Sequence, residues 1–220
     1  MEKGLGLEII YLKETSSTHK VLIKKLLDKS LKPPIALSAD VQKNGVGSFE
    51  NSWEGMDGNL FLSFSVHLNT LPDDIPKHSF SIYFSYILKE LLEELGSKVF
   101  LKWPNDFYIG DKKVGGTITK VINGDILVCS IGINLKNSPQ KFEIIDINVD
   151  KIALIEAYFL KLKEDILWKY IFIKYKIEFE KSRDFLYYDK REKKKISLKD
   201  AKLKKDGSIE LNKREVYSLR

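Results

Sequence analysis

Cysteine is nearly missing from this chain. Cys129 is its single thiol, so no internal disulfide is available and a reducing, cytoplasmic setting is expected. Histidine is also scarce, at three residues. His19, His67 and His78 are far from any Cys/His/Asp cluster in sequence, which argues against a transition-metal site. No run of about eighteen apolar residues occurs, so no membrane-spanning helix is expected. The start, Met1-Glu2-Lys3-Gly4, lacks the basic, apolar and small-residue order of a signal peptide. The short approach to the first strand also leaves no room for a helix-turn-helix module, so no DNA-binding module is expected.

What is present suits a globular protein. The 220 residues are 43% hydrophobic, enough for one sizeable domain and a small appendage. The formal charge of +6 is unevenly spread. Residues 181–220 carry 14 basic and 7 acidic side chains, whereas the first 180 carry 23 and 24. A lysine-rich solvated surface accounts for this. Attraction to an acidic partner is the functional alternative, but few aromatics interleave with Lys193-Lys194-Lys195, as a nucleic-acid platform would require.

Periodicity predicts the elements. Leu7–Leu12 and Ile35–Asp40 read as strands. Thr15-Ser16-Ser17-Thr18 can cap a helix beginning near His19, with Leu22/Leu26 and Ile23/Leu27 at four-residue spacing, that ends by Lys32-Pro33-Pro34. Gln42 to Gly58 reads as a long polar loop with four glycines, a length usually tied to function or disorder. Asn59–His67 alternates as a strand, and Ser79–Leu95 is a helix stopped by Gly96. Strands are expected at 98–103, 107–109, 113–121 and 125–133, with an Asn123-Gly124 hairpin turn. Residues 150–181 are helical, in one piece or two with a break near Lys163. Ile155, Phe159, Leu162, Ile166 and Ile173 can share much of a face. The last forty residues read as short strands around Asp206-Gly207, closing with Glu215–Leu219. The fold class is therefore α+β, a mixed, largely antiparallel sheet packed with helices. The expected division is 1–180 for a catalytic domain and 181–220 for a small β-rich domain.

Two segments carry the chemistry. Leu101-Lys102-Trp103-Pro104-Asn105-Asp106 is a strand end running into a proline-fixed turn, which can aim the Lys102 ammonium. A fixed cation lowers the cost of bringing two anions together, as when a carboxylate meets the α-phosphate of ATP. Gln42-Lys43-Asn44-Gly45-Val46-Gly47-Ser48 is a glycine loop whose backbone amides can approach an anion. It can also cover a reactive intermediate. Ser17 and Thr18 offer hydroxyls to a small polar head group, besides capping the helix. Cys129, on an apolar strand, reads as an inert core residue.

The Lys-Trp-Pro-Asn-Asp string, the Thr15–Thr18 turn, Lys113-Val114-Gly115-Gly116 and Ile131-Gly132-Ile133-Asn134 come in an order that resembles the biotin protein ligases, over roughly residues 15–135. The resemblance implies a class II synthetase-like ligase domain with a small SH3-like domain after it. It implies ATP, biotin and Mg²⁺ as reactants and cofactor, and biotinyl-5′-AMP as intermediate. The acceptor would be a lysine of a biotin carboxyl carrier protein or domain, and the enzyme a cytoplasmic monomer or homodimer. Lys102 would be catalytic. Ser17, Thr18, His19, Gln42, Gly45, Lys102, Gly116, Ile131 and Gly132 would bind biotin. Gly45, Val46, Gly47, Ser48, Trp53, Asn105 and Asn134 would contact the adenylate. The family's loop carries arginines where this chain has Val46 and Ser48, leaving Lys43 as the loop's cation. Two other readings stay open: a lipoate or octanoate ligase or transferase of the same fold, in which Cys129 would be reactive, and a non-catalytic biotin- or nucleic-acid-binding protein.

Overall fold

A sheet of eight strands organises the molecule. The computed structural model describes residues 7–47, 52–189 and 193–217. The sheet comprises β1 (Glu8–Thr15), β2 (Ile35–Val46), β3 (Ser52–Gly55), β4 (Leu60–His67), β5 (Phe100–Lys102), β6 (Asp106–Ile109), β7 (Lys112–Ile122) and β8 (Ile126–Ile133). Their order is β1-β2-β4-β8-β7-β6-β5, with β3 paired to β2. Among the described residues of this sheet, only the β1–β2 pair is parallel. The mixed, mainly antiparallel α+β expectation holds.

Alternation along the strands creates two chemically different faces. Leu60, Leu62, Phe64 and Val66 of β4, with Leu127, Cys129, Ile131 and Ile133 of β8, enter the main core. That core is roofed by α2 (Phe80–Glu94), α3 (Lys151–Leu162) and α4 (Trp168–Phe179). Phe64 sits among Phe84, Tyr158 and Phe159 in edge-to-face contacts. Such pairs add about 0.5–1.5 kcal/mol each beyond area burial. The opposite face is covered by α1 (Thr18–Leu27), whose Leu22 and Leu26 pack on Ile35, Leu37, Ile122, Ile126 and Val128. Ser63, Ser130, Gly116 and Gly132 lie on this same face, beyond the apolar patch. The polar and glycine positions of β4, β7 and β8 are thus gathered at the N-terminus of α1.

The Gln42–Gly58 segment is more ordered than a loop. β2 continues through it to Val46 and pairs with β3, Gln42 opposite Gly55 and Gly45 opposite Trp53, with a bulge between. A Cβ on Gly45 would lie 2.5 Å from the Trp53 carbonyl oxygen, so close backbone approach explains that glycine. Phe49 and Ser48 lie outside the described residues.

Residues 150–181 form two helices, broken at 163–167. Ile155, Phe159 and Leu162 are buried as expected, but Ile173 is 56% exposed. The break re-phases α4, so a stripe extrapolated from α3 turns away from the core. The final strands are β9 (Leu186–Asp189) with β10 (Lys194–Ser197), and β11 (Lys202–Leu203), β12 (Ile209–Leu211) and β13 (Arg214–Val216). The 205–207 turn between β11 and β12 is held by three donors from elsewhere in the chain. Trp168 Nε1 donates to the Lys205 carbonyl at 2.9 Å, Ser79 Oγ to that of Asp206, and Trp103 Nε1 to that of Gly207 at 2.9 Å. Asp206 also meets His78 Nε2 at 3.0 Å. No described helix is long and apolar enough to cross a membrane.

Candidate functional site

A cleft opens where the N-terminus of α1 meets the polar end of the α1-covered sheet face. It encloses about 440 Å³, part of it open to solvent. Ser17, Thr18 and His19 come from the start of α1, Gln42, Val46 and Gly47 from β2 and its end, and Trp53 from β3. The floor is Gly116 and Ile118 of β7 with Ser130 and Gly132 of β8, and Asp106 and Lys113 close one side.

Ser17 has extended backbone and its Oγ accepts from the Lys20 amide, the capping role that its residue type favours. Capping fixes Thr18 and His19 at the cleft. The Thr18 amide and Oγ1 both reach Gln42 Oε1, at 2.7 and 3.0 Å. Ser63 Oγ lies 2.8 Å from both Thr18 Oγ1 and Ser130 Oγ, and His19 Nδ1 lies 2.8 Å from Ser130 Oγ. A continuous polar chain therefore runs beneath the cleft.

Burial holds the His19 imidazole down at about 4, with Lys120 and Lys20 contributing in the same direction. Unfolded, the ring titrates near 6.5. Between those values the unfolded chain binds more protons, so this group's contribution is present above about 6.5 and is lost as pH falls through about 4. In urea titrations, the unfolding midpoint of the wild type should fall more steeply over that window than that of His19→Asn. The difference should amount to roughly 3 kcal/mol or less at the acid end. Parallel pH curves would mean that the ring is not held neutral by the fold.

The other end of the cleft holds an ion pair. Lys113 Nζ is 2.7 Å from Asp106 Oδ1 and 5.8 Å from the Trp53 ring centre. Strict alternation would leave Lys113 on the face of Gly115. The β6–β7 register shifts between Phe107 and Tyr108, however, so that Gly115 faces Phe107 and Lys113 faces Tyr108. This bulge on β7 turns Lys113 onto the cleft side, where Asp106 stands opposite Gly116. Trp53 covers Gly132 so closely that a Cβ there would lie 3.0 Å from the indole. Gly132→Ala should therefore push the indole a few tenths of an ångström, with a stability change under about 1 kcal/mol. Tryptophan emission checks this; an unchanged spectrum would mean that the indole does not cover Gly132.

Nine of the expected site residues meet at this cleft: Ser17, Thr18, His19, Gln42, Gly116, Gly132, Val46, Gly47 and Trp53. Ile131 borders it too, but its side chain is in the main core. Ser48 lies outside the described residues. The remaining four are not among its lining residues. Gly45 serves the β2–β3 approach. Asn105 is fully buried; its side chain donates to the Thr117 carbonyl, while the Thr117 amide donates to the Asn105 carbonyl. Asn134 donates from its side chain to the Glu143 carbonyl at 3.1 Å and accepts the Ile145 amide on its own carbonyl, tying down the following loop.

Lys102 sits on the edge strand β5 directly opposite Asp106, which itself faces Gly116, so the three share one row and one face of the sheet. Its ammonium lies over the Tyr108 and Phe185 rings, at 5.4 and 5.8 Å. Lys113 lines the cleft directly. Lys43 pairs with Glu14 on the surface at 2.6 Å.

Thr117, Ile118 and Ser130 join the site without having been assigned a role, and Lys113 and Asp106, noted only as members of their strings, join it too. Two-residue spacing from Gly116 and Gly132 was the available signal for Ile118 and Ser130. For Lys113 it was membership in the Lys113–Gly116 string. Cys129 is buried, and burial pushes its thiol well up. That suits a core residue, not the nucleophile of an acyl transferase. Among the described residues, no group of three His, Cys, Asp or Glu is arranged to hold a metal.

Residues 11–136 match the biotin/lipoate A/B protein ligase family. The bifunctional ligase/repressor BirA of Escherichia coli is 30% identical over 156 residues, covering 69% of this chain and 47% of that protein. Biotin–protein ligase 2 of Arabidopsis thaliana is 26% identical over 137 residues, covering 59% and 40%. The chain thus spans about half the length, or less, of these curated relatives. A crystal structure of biotin acetyl coenzyme A carboxylase synthetase from Helicobacter pylori with bound biotinylated ATP superposes with a TM-score of 0.90 at 36% identity, covering 96% of this chain and 99% of that one. The biotin protein ligase of Aquifex aeolicus in complex with biotin and ATP superposes at 0.67 with 22% identity, covering 97% and 96%, and so shares the fold.

Proposed function

Because this chain belongs to the biotin/lipoate A/B protein ligase family, we propose that it joins biotin to ATP as biotinyl-5′-AMP and passes the biotinyl group to a lysine of a carboxyl carrier protein or domain. The observation that carries this reading is the cleft itself. It has a polar head-group end at Thr18, Gln42 and Ser130, a glycine floor that admits a flat ring, and a cation, Lys113, at the far end under Trp53.

In the first step a biotin carboxylate oxygen attacks the α-phosphorus, a P–O bond forms, and pyrophosphate leaves with the broken bond's electrons. Lys102 and Lys113, brought to the face of Gly116 by β5 and β7, would offset the repulsion of carboxylate and phosphate in a site shielded from water. Asp106 would hold the Lys113 ammonium in place. In the second step the acceptor amine attacks the adenylate carbonyl. A C–N bond forms, the C–O bond to AMP breaks, and the amine gives up a proton. Lys113 would steady the carbonyl oxygen as it gains charge. The backbone of Val46 and Gly47 and the Trp53 ring would shelter the adenylate. Mg²⁺ would enter with the triphosphate, held by phosphate oxygens and water more than by protein groups.

Mass spectrometry of the intact protein after incubation with biotin, ATP and Mg²⁺ tests the reading. Retained biotinyl-AMP is expected. Adenylate formation with lipoate or octanoate, and none with biotin, would move the protein to the other branch of the family.

A further inference from the structure

The polar chain under the cleft has one possible direction. The Thr18 amide can only donate, so the Gln42 side-chain atom 2.7 Å away must be the carbonyl oxygen. Thr18 Oγ1, 3.0 Å from that oxygen, must then spend its own proton on it. Ser63 Oγ has to donate to Thr18 Oγ1, and Ser130 Oγ to Ser63 Oγ, because each acceptor's proton is already committed. Ser130 can therefore meet His19 Nδ1 only as an acceptor, and Nδ1 must carry the ring proton. Five side chains, four of them buried, are thereby ordered from a single anchoring amide.

We infer that His19 is a positioning residue that sets the hydrogen-bond polarity of the head-group pocket by donating from Nδ1 to Ser130. With their protons spent inward, Thr18 and Ser130 present only lone pairs to the cleft. Donors come from the Gln42 amide nitrogen and from Ser17, whose oxygen accepts from Lys20 and whose proton is uncommitted. The pocket therefore selects a head group with N–H donors on the Thr18/Ser130 side and a carbonyl on the Ser17/Gln42 side. A cyclic urea has that pattern, and a dithiolane or a plain alkyl chain has none of it. This rests on the ligase reading for its ligand, but the polarity itself belongs to the free protein.

Nitrogen-15 NMR of the histidine rings near pH 7, with His19→Asn identifying the His19 signals, tests the polarity directly. The Nδ1–H tautomer is expected, and an Nε2–H tautomer would overturn the inference. Biotin titrations of variants supply the second test. An asparagine amide nitrogen can occupy the place of Nδ1, so His19→Asn should bind within about threefold of wild type, whereas His19→Leu should weaken binding about tenfold or more. Acting through Ser130, the leucine change should add little in a Ser130→Ala background. A leucine effect undiminished in that background, or an asparagine variant as weak as leucine, would overturn the positioning role. An Nδ1–H tautomer in a wild-type protein that binds no biotin would support the polarity and remove the ligase reading.

Discussion

Lys113→Met should slow biotin-dependent pyrophosphate release by about two to three orders of magnitude, the usual effect of removing one preorganised charge from a developing anion. Folding should survive, since the Lys113 side chain is 23% exposed and its pairing with Asp106 is near the surface. The loss should fall on kcat more than on the biotin Kd, because the charge is needed most where carboxylate meets phosphate. Lys102→Ala is the companion test. Lys102 faces Asp106 across β5 and β6, on the row that continues to Gly116, and its removal should slow the same step by a comparable factor. Stopped-flow detection of pyrophosphate decides the matter. Near-normal turnover in either variant would remove that lysine from the reaction.

Trp103→Ala should destabilise the protein by about 3–5 kcal/mol, in the range for truncating a buried aromatic. The side chain is 1% exposed, stacks edge-on against Tyr187 at 5.4 Å, and donates to the Gly207 carbonyl. Its amide also takes the Ser182 hydroxyl at 2.8 Å as acceptor. Trp103→Phe should recover much of the packing but leave the Gly207 carbonyl without its donor, costing about 1–3 kcal/mol. Chemical denaturation followed by circular dichroism gives both numbers. A cost under about 1 kcal/mol for the alanine variant would mean that the contact with residues 182–207 contributes little to the fold.

These two outcomes bear on what could be seen in the sequence. The strands, α1 and α2 followed from period and caps, because alternation and capping are local rules. The head-group end of the cleft was legible at Ser17, Thr18 and Gln42, and Gly116 and Gly132 marked its floor. Lys102 drew attention because it abuts a proline-fixed corner; that it faces Asp106 and, beyond it, Gly116 is a property of sheet order, which no local pattern carries. Lys113 reaches the cleft through a one-residue bulge, and a bulge reverses what alternation predicts. Trp103 and Asn105 belong to the most distinctive string in the chain, yet they serve packing and backbone pairing at residues 117, 182 and 207. Motif rarity therefore located the region, and strand pairing shows which of its residues face the cleft. The head-group chain needs Ser63 and Ser130, which are 67 residues apart and come together only through the pairing of β4 with β8.

The placement of the three tryptophans gives the protein a built-in optical readout. Trp53 roofs the cleft, while Trp103 and Trp168 both donate to the turn at 205–207. Emission from the first would respond to occupancy and emission from the other two to detachment of the C-terminal strands. A variant keeping only Trp53 would thus report loading, and one keeping only Trp168 would report unravelling.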